Sequence, residues 1–398
     1  MLGIRRYHKG RENTLDIPEL SRPESWPQLP VSVLKKRCYT IRKVDECVKQ
    51  NYGAKYSVHP LGSSCYGADT KDSDVDLILH DPDRPCGYEL PKHQSSRTPR
   101  LYNISVLAKA LTQSGFDVLL RLSQATVPIV KFRDPDTGLK CDINVNERLG
   151  YRNTLMIRQY CTILPILPAF IVQLKLWAKE QKWITNMNNY TLAIMAIGVL
   201  QHYGALPNLQ KGVEQRPMTE NGYFWTKSKR GKLQWCDTRW NDSEEGWEPT
   251  RRVTPDECLT MWFRYWGHEH DYNGTGIDIK RGGLFQRQRP YEPEPVEVVP
   301  VDQDMKTTGR SKWVTIPSET NIYEEPPAWA NHPFCIQDPF VRDKNLASQM
   351  FKPQMKVFQP SCQKAFERLE LARAQTPGSV ASDPKLLAKY MTTMLLAP

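Results

Sequence analysis

Three aspartates and a glycine-serine turn carry the chemistry legible in this chain. Gly62-Ser63 opens the stretch Leu61-Gly62-Ser63-Ser64-Cys65-Tyr66-Gly67, and Asp74-Val75-Asp76-Leu77-Ile78-Leu79 follows it. Glycine lets a backbone approach a polyphosphate closely, and successive N–H groups with the Ser63 and Ser64 hydroxyls offer donors to its oxygens. The alternation after Ser73 predicts a strand whose period of two sets Asp74 and Asp76 on one face, about 7 Å apart, with Val75 and Leu77 opposite. Magnesium prefers such oxygen donors together with substrate phosphates, so the pattern points to phosphoryl transfer at a pair of metal ions. A surface turn followed by a half-buried strand is the plainer reading of a lone Asp-X-Asp. A third carboxylate weighs against it. Residues 127–132 read as a strand, Asp134-Pro135-Asp136-Thr137-Gly138 as a turn and residues 139–145 as the returning strand, which brings Asp142 toward the same side as the pair.

Other elements must position these groups. Val31, Leu34, Cys38, Ile41, Val44 and Val48 recur near the helical period, which predicts a helix leading into the first catalytic strand. A crossover helix is expected around 104–111. Further along, Ile171, Leu174, Trp177 and Ala178 define a buried helical stripe, so Lys175 and Lys179 lie one turn apart on a different face. Alone they read as solvated lysines. Beside three carboxylates they read as cations for a triphosphate, which needs charge neutralised wherever metal does not reach. Tyr190 opens an apolar run to Leu200, and its ring is suited either to the core or to covering a base. Cys258 to Tyr265 predicts another apolar helix and 363–373 a terminal one, whereas 210–250 is polar, tryptophan-punctuated and unassigned. Residues 1–25 read as an extended leader, and Pro290 to Pro300, rich in proline and glutamate, as extended chain without a core.

These blocks and their order resemble the template-independent RNA nucleotidyltransferases of the DNA polymerase β-like superfamily, the terminal uridylyltransferases and noncanonical poly(A) polymerases. The resemblance implies an α+β fold: a polymerase β-like sheet domain with a helical poly(A)-polymerase-associated domain, the active site in the cleft between them. It implies a leader helix over 26–53 packing with the helical domain, a catalytic domain over 54–148 and a helical domain over 149–398. It makes Asp74, Asp76 and Asp142 the catalytic, metal-holding triad for two Mg²⁺ or Mn²⁺ ions, with Gly62 and Ser63 on the nucleotide. Arg152-Asn153-Thr154-Leu155 is similar to the family element whose asparagine contacts ribose, so Asn153 and Thr154 join the site. Lys175 and Lys179 match the triphosphate lysines. Asn189 and Tyr190 occupy the place of a serine-tyrosine pair, with asparagine in place of serine. Phe334-Cys335-Ile336-Gln337-Asp338-Pro339-Phe340, with Asn345, resembles the poly(A)-polymerase-associated signature and brings Asp338 and Lys344 to the base. Uridylyl members carry an acidic residue and then a histidine where this chain has Val341 and Lys344; the expectation is addition of UMP, with UTP somewhat preferred over ATP, and the alternative is a noncanonical poly(A) polymerase using ATP. The expected acceptor is an RNA 3′ end, with a protein partner for target choice.

Composition agrees. The 398 residues suffice for two or three domains, and lysine plus arginine exceed acids to give a net charge of +10, which suits a polyanionic partner. Basic clusters occur at Arg5, Arg6, Lys9 and Arg11, at Lys227, Lys229, Arg230 and Lys232, and at Lys280, Arg281, Arg287 and Arg289. Each reads first as a solvated face. With Trp225, Trp235 and Phe285 nearby, the later two are places where a strand could stack. Ten cysteines show no CxxC spacing, so reduced thiols are expected. His268-Glu269-His270 lacks zinc partners and reads as surface strand. The apolar stretch from Leu155 to Trp177 is broken by Arg158, Pro165, Pro168 and Lys175, which predicts buried helix and no membrane span. With no secretory leader read at the start, the expectation is a soluble intracellular protein, cytoplasmic or nuclear. The alternatives are a different acceptor on the same fold, a tRNA CCA-adding or templated polymerase, and an inactive RNA-binding scaffold, which would be expected to have lost a triad carboxylate.

Overall fold

The computed structural model describes residues 17–85, 99–181, 183, 186–218, 222–227, 233–242, 246–287, 331–375 and 393. The leader before residue 17, the basic residues Arg5, Arg6, Lys9, Arg11, Lys229, Arg230, Lys232 and Arg289, and the Pro290 to Pro300 stretch lie outside these residues. The chain divides into two units, Met1–Leu155 with Lys227–Lys232, and Met156–Thr226 with Leu233–Pro398.

In the first unit a five-stranded sheet is built from β1 (Ser57–Leu61), β2 (Val75–His80), β3 (Asp117–Leu122), β4 (Ile129–Arg133) and β5 (Lys140–Val145), in the order β1-β2-β5-β4-β3. Only β2 and β5 pair in parallel; the other neighbours are antiparallel. A parallel pair requires a long crossover, and α2 (Ile104–Gln113) lies within it, its first turn capped by Asn103 accepting from the Ser105 and Val106 amides. The helix α1 (Val31–Tyr52) covers the sheet. Cys38, Ile41, Val44, Cys47 and Val48 share one core with Val75, Leu77, Leu79, Phe132 and Ile143. The apolar stripe of α1 is buried by the sheet and α2, and Asp45 accepts the Val58 amide of β1 at 2.9 Å.

The second unit is largely helical. The boundary falls within α3 (Arg148–Ile163), after which come α4 (Leu167–Lys179), α5 (Asn189–His202), α6 (Pro255–Arg264) and α7 (Lys352–Gln375). Its core is aromatic: Trp177 packs edge-on to Phe263 and Trp262, and Trp183 and Trp266 pack on Phe358. The unassigned 210–250 contains a short 3-10 turn at Val213–Gln215 and a hairpin of β6 (Tyr223–Lys227) and β7 (Leu233–Asp237). A second hairpin joins β8 (Thr275–Asp278) to β9 (Gly283–Gln286). The terminal helix is longer than expected and carries Pro360 in its interior. His268-Glu269-His270 is not a surface strand: the chain leaves α6 through a wide helical turn, and His270 is buried with Nδ1 2.6 Å from the Tyr265 hydroxyl. Among the described residues no single helix is long and apolar enough to cross a membrane.

Two consequences are testable. Gly67 has φ +75°, and a Cβ there would lie 2.5 Å from Trp26 Cε3. Left-handed backbone and overpacking each disfavour a side chain, so Gly67→Ala should lose about 2 to 4 kcal/mol in urea unfolding. An unchanged midpoint would contradict the packing described. His270 is held neutral by burial, its pKa pushed down to about 3. Below its ordinary value the unfolded state binds the proton and the folded state does not, so stability falls as pH drops from ~6.5 toward ~3, by up to about 1.4 kcal/mol per pH unit. Denaturation of His270→Gln between pH 7 and 4 should show a shallower decline than the parent chain; an identical slope would contradict it.

Candidate active site

The parallel register of β2 and β5 places Asp76 directly beside Asp142, and the antiparallel register of β1 and β2 places Leu61 on the other side of Asp76. Residues paired across strands present side chains to the same face. Asp76 and Asp142 therefore share a face, while Val75 and Leu77 point into the core. Asp74 keeps the i, i+2 spacing but sits just ahead of the first residue of β2, exposed.

The glycine-serine turn closes against this pair. Gly62 adopts φ +74°, and a Cβ there would lie 2.6 Å from Asp76 Oδ2, so any side chain would push the carboxylate aside. The Gly62 N–H donates to Thr154 Oγ1 at 2.9 Å, and that hydroxyl donates to the Gly150 carbonyl at 2.8 Å. Thr154 thus ties α3 to the turn through both bonds of its hydroxyl. Asn153 beside it is nearly buried. Ser64 is also committed, donating to the Leu61 carbonyl at 3.2 Å, whereas Ser63 is half-buried and its carbonyl accepts the Ala68 amide at 3.1 Å.

Charge is concentrated here. Lys131 on β4 lies in register with Asp142 and forms an ion pair with its Oδ2. Burial pushes the Cys141 thiol up, and the carboxylates of Asp134, Asp142, Asp74 and Asp76 add to that shift, so all three candidate ligands act on one point in the sheet. Hard oxygen donors on adjacent strands fit Mg²⁺ or Mn²⁺ in chemical kind. They are not gathered as a closed site: among the described residues no three His, Cys, Asp or Glu side chains are grouped to hold a metal ion. Lys131 supplies positive charge at Asp142.

Sequence reasoning missed what holds the turn from behind. Arg22, before α1, and Arg37, within it, both pair with buried Asp69, and Arg37 also donates to the Thr70 carbonyl at 2.9 Å. Trp26 packs beneath Gly67. An arginine at a helix position otherwise apolar was the available signal for Arg37.

The remaining predicted residues belong to the second unit. Lys179 at the end of α4 is exposed, but Lys175 one turn earlier is 6% exposed. Asn189 and Tyr190 begin α5, with Asn189 exposed and Tyr190 half-buried; the cap is Asn188, whose side chain accepts the Thr191 amide at 2.8 Å. Asp338 is fully buried. Its Oδ1 accepts the Phe340 and Val341 amides at 3.0 Å, and its Oδ2 stands 3.6 Å from Lys344 Nζ. Asp338 thus shapes a turn and stands beside Lys344, whose side chain remains 48% exposed. Asn345 pins the same segment, accepting from the Ile336 and Ala347 amides and donating to the Phe334 carbonyl. Val341 is buried. The expected stacking surface around Lys280 is structural too: Arg287 donates to the Tyr272 and His332 carbonyls, Arg281 pairs with Asp278, and Phe285 is buried. Arg342, also missed, pairs with Asp278 and bonds Gln337 at 3.0 Å.

A family model for the central palm domain of mitochondrial-like poly(A) RNA polymerases matches residues 26–162. The chain is 30% identical over 191 residues to the poly(A) RNA polymerase GLD2 of Xenopus tropicalis, covering 45% of this chain and 35% of that protein. It is 31% identical over 159 residues to the human GLD2, covering 38% and 32%. The match thus spans about a third of the length of these curated relatives. In fold it is similar to the Cid1 poly(U) polymerase bound to MgGTP, with TM-score 0.61, 18% identity and coverage of 86% and 90%. It is likewise similar to mtPAP in complex with UTP, with TM-score 0.61, 19% identity and coverage of 92% and 69%. The fold is the α+β fold of these nucleotidyltransferase structures, and the similarity in sequence to noncanonical poly(A) RNA polymerases lies in the stretch that carries Gly62, Asp76 and Asp142.

Proposed function

We propose that this chain is a template-independent nucleotidyltransferase that moves AMP or UMP from a nucleoside triphosphate to the 3′ hydroxyl of RNA. The observation that carries the reading is the register of Asp76 beside Asp142 with Gly62 closed against Asp76. Asp76 and Asp142 would hold two divalent ions, Mg²⁺ or Mn²⁺, with Asp74 completing the set. Bound there, the ions would supply Lewis acidity to the 3′ hydroxyl and to the phosphate it attacks. The 3′ oxygen forms a bond to the α-phosphorus as the bond to pyrophosphate breaks. Ser63 and the turn amides bind phosphate oxygens, and Lys179 adds an exposed cation. Lys175, largely buried, is the more fixed charge. Asn153 serves the ribose, and Tyr190 with Asn189 the base and phosphates.

The relatives in sequence are poly(A) RNA polymerases by name, which makes AMP at least as well supported as UMP. With Asp338 and Val341 buried, base choice falls to exposed Lys344. Lysine can donate to uracil O4 or to an adenine ring nitrogen. The net charge of +10 suits an RNA acceptor, with target choice assigned to a protein partner.

The test is a labelled oligoribonucleotide incubated with each of the four nucleoside triphosphates and Mg²⁺. Extension with ATP or UTP is expected, falling about 10²-fold or more in Asp76→Asn. The melting temperature of that variant should not fall, since one of two crowded carboxylates loses its charge. Extension by Asp76→Asn at the parental rate would contradict the assignment. A second measurement follows from the Lys131 pair. Removing the lysine frees Asp142 and takes away a cation that repels metal, so Lys131→Met should bind Mn²⁺ about tenfold more tightly by electron paramagnetic resonance titration. Equal affinities would mean that the ion pair is bystander chemistry.

A further inference from the structure

Two buried arginines meet one buried aspartate behind the Gly62 to Gly67 turn, so the cluster holds a surplus positive charge. Arg22 and Arg37 pair with separate oxygens of Asp69, and the three side chains are 3%, 0% and 0% exposed. One further donor of each reaches a neutral carbonyl, Arg22 to Pro27 and Arg37 to Thr70, both at 2.9 Å, and the buried Nε of each has no hydrogen-bond partner among the described residues. Among the described residues no second carboxylate pairs with either arginine. Burial pulls the Arg22 guanidinium below its ordinary range, Asp69 opposing that shift and Arg37 adding to it. Arginine nonetheless stays protonated in proteins. An unmatched charge away from water disfavours the free fold and is weakly screened. Arg37 with Asp69 would already be neutral, and it already fixes Thr70. Arg22 adds charge beyond what pairing requires. That charge is fastened to the end of the turn, because Asp69 directly follows Ala68, whose amide bonds the Ser63 carbonyl.

We propose that Arg22 is a positioning residue whose surplus charge, held through Asp69, biases the Gly62 to Gly67 turn toward a polyanion that offsets it. The inference rests on the reading that this turn holds the triphosphate of the substrate. The polyanion is then bound partly by the turn amides and Ser63 and partly by a charge that never touches it. Binding and stability are coupled with a definite sign: the bound anion relieves a destabilising charge in the free protein.

The probe is inorganic tripolyphosphate, which has no base or ribose, titrated by calorimetry into the full chain and its variants. Arg22→Met should bind it about tenfold more weakly, with a melting temperature in its absence equal to or above that of the parent. Arg22→Lys should recover most of the affinity. In extension assays Arg22→Met should raise KM for the nucleoside triphosphate about tenfold and leave kcat within about twofold. Asp69→Asn enlarges the surplus, so it should melt lower alone and gain more than the parent on adding tripolyphosphate. If Arg22→Met melts lower or fails to fold, or binds tripolyphosphate as the parent does, Arg22 is a structural clamp and the proposal is overturned. A parent chain that binds tripolyphosphate in this Arg22-dependent way yet extends no RNA would support the inference and overturn the functional reading instead.

Discussion

Two carboxylates in adjacent register positions of a parallel strand pair repel each other, and much of the first unit is arranged around that repulsion. Hydrogen bonding between β2 and β5 fixes Asp76 and Asp142 side by side, so neither can retreat without breaking the sheet. The aliphatic residues on the opposite face of β2 bury against α1 and α2, which commits the carboxylates to the outer face. Lys131, one strand further, offsets part of the charge. Gly62 allows the turn to approach Asp76 closely, and the Thr154 bond to its amide holds that approach. The arrangement stores unfavourable charge where cations would relieve it.

The core of this scheme was legible in the sequence because it is written in periodicities. A period of two separates Asp76 from Val75 and Leu77, and the hairpin signal at 134–138 predicts the return strand that carries Asp142. Register was not legible, since nothing local says that β2 pairs with β5 while β3 lies at the edge. Charged residues far apart in sequence were also invisible: Arg22 and Asp69 are 47 positions apart, and only the fold brings them together. An amphipathic stripe such as that of α1 says that a face is buried, not against what.

In the second unit the sequence blocks identified segments better than roles. Asp338 and Asn345 stand out by type, yet Asn345 and the Oδ1 of Asp338 bond backbone amides and carbonyls within 334–347. A buried polar side chain must find partners, and in an irregular segment the nearest are its own main-chain groups. Such residues shape the loop that presents Lys344. His270 illustrates the same rule: ligand-like by type, it is a neutral core residue bonded to Tyr265.

What Asp76 and Asp142 do when a cation is supplied decides whether the pair is a metal site. The most direct measurement is anomalous scattering from crystals of the chain grown with Mn²⁺ and a nonhydrolysable nucleoside triphosphate. Manganese bound by both Asp76 and Asp142, with the Lys131 ammonium withdrawn from Asp142, is the predicted result. Manganese bound elsewhere, with the Lys131 to Asp142 pair intact, would contradict the account.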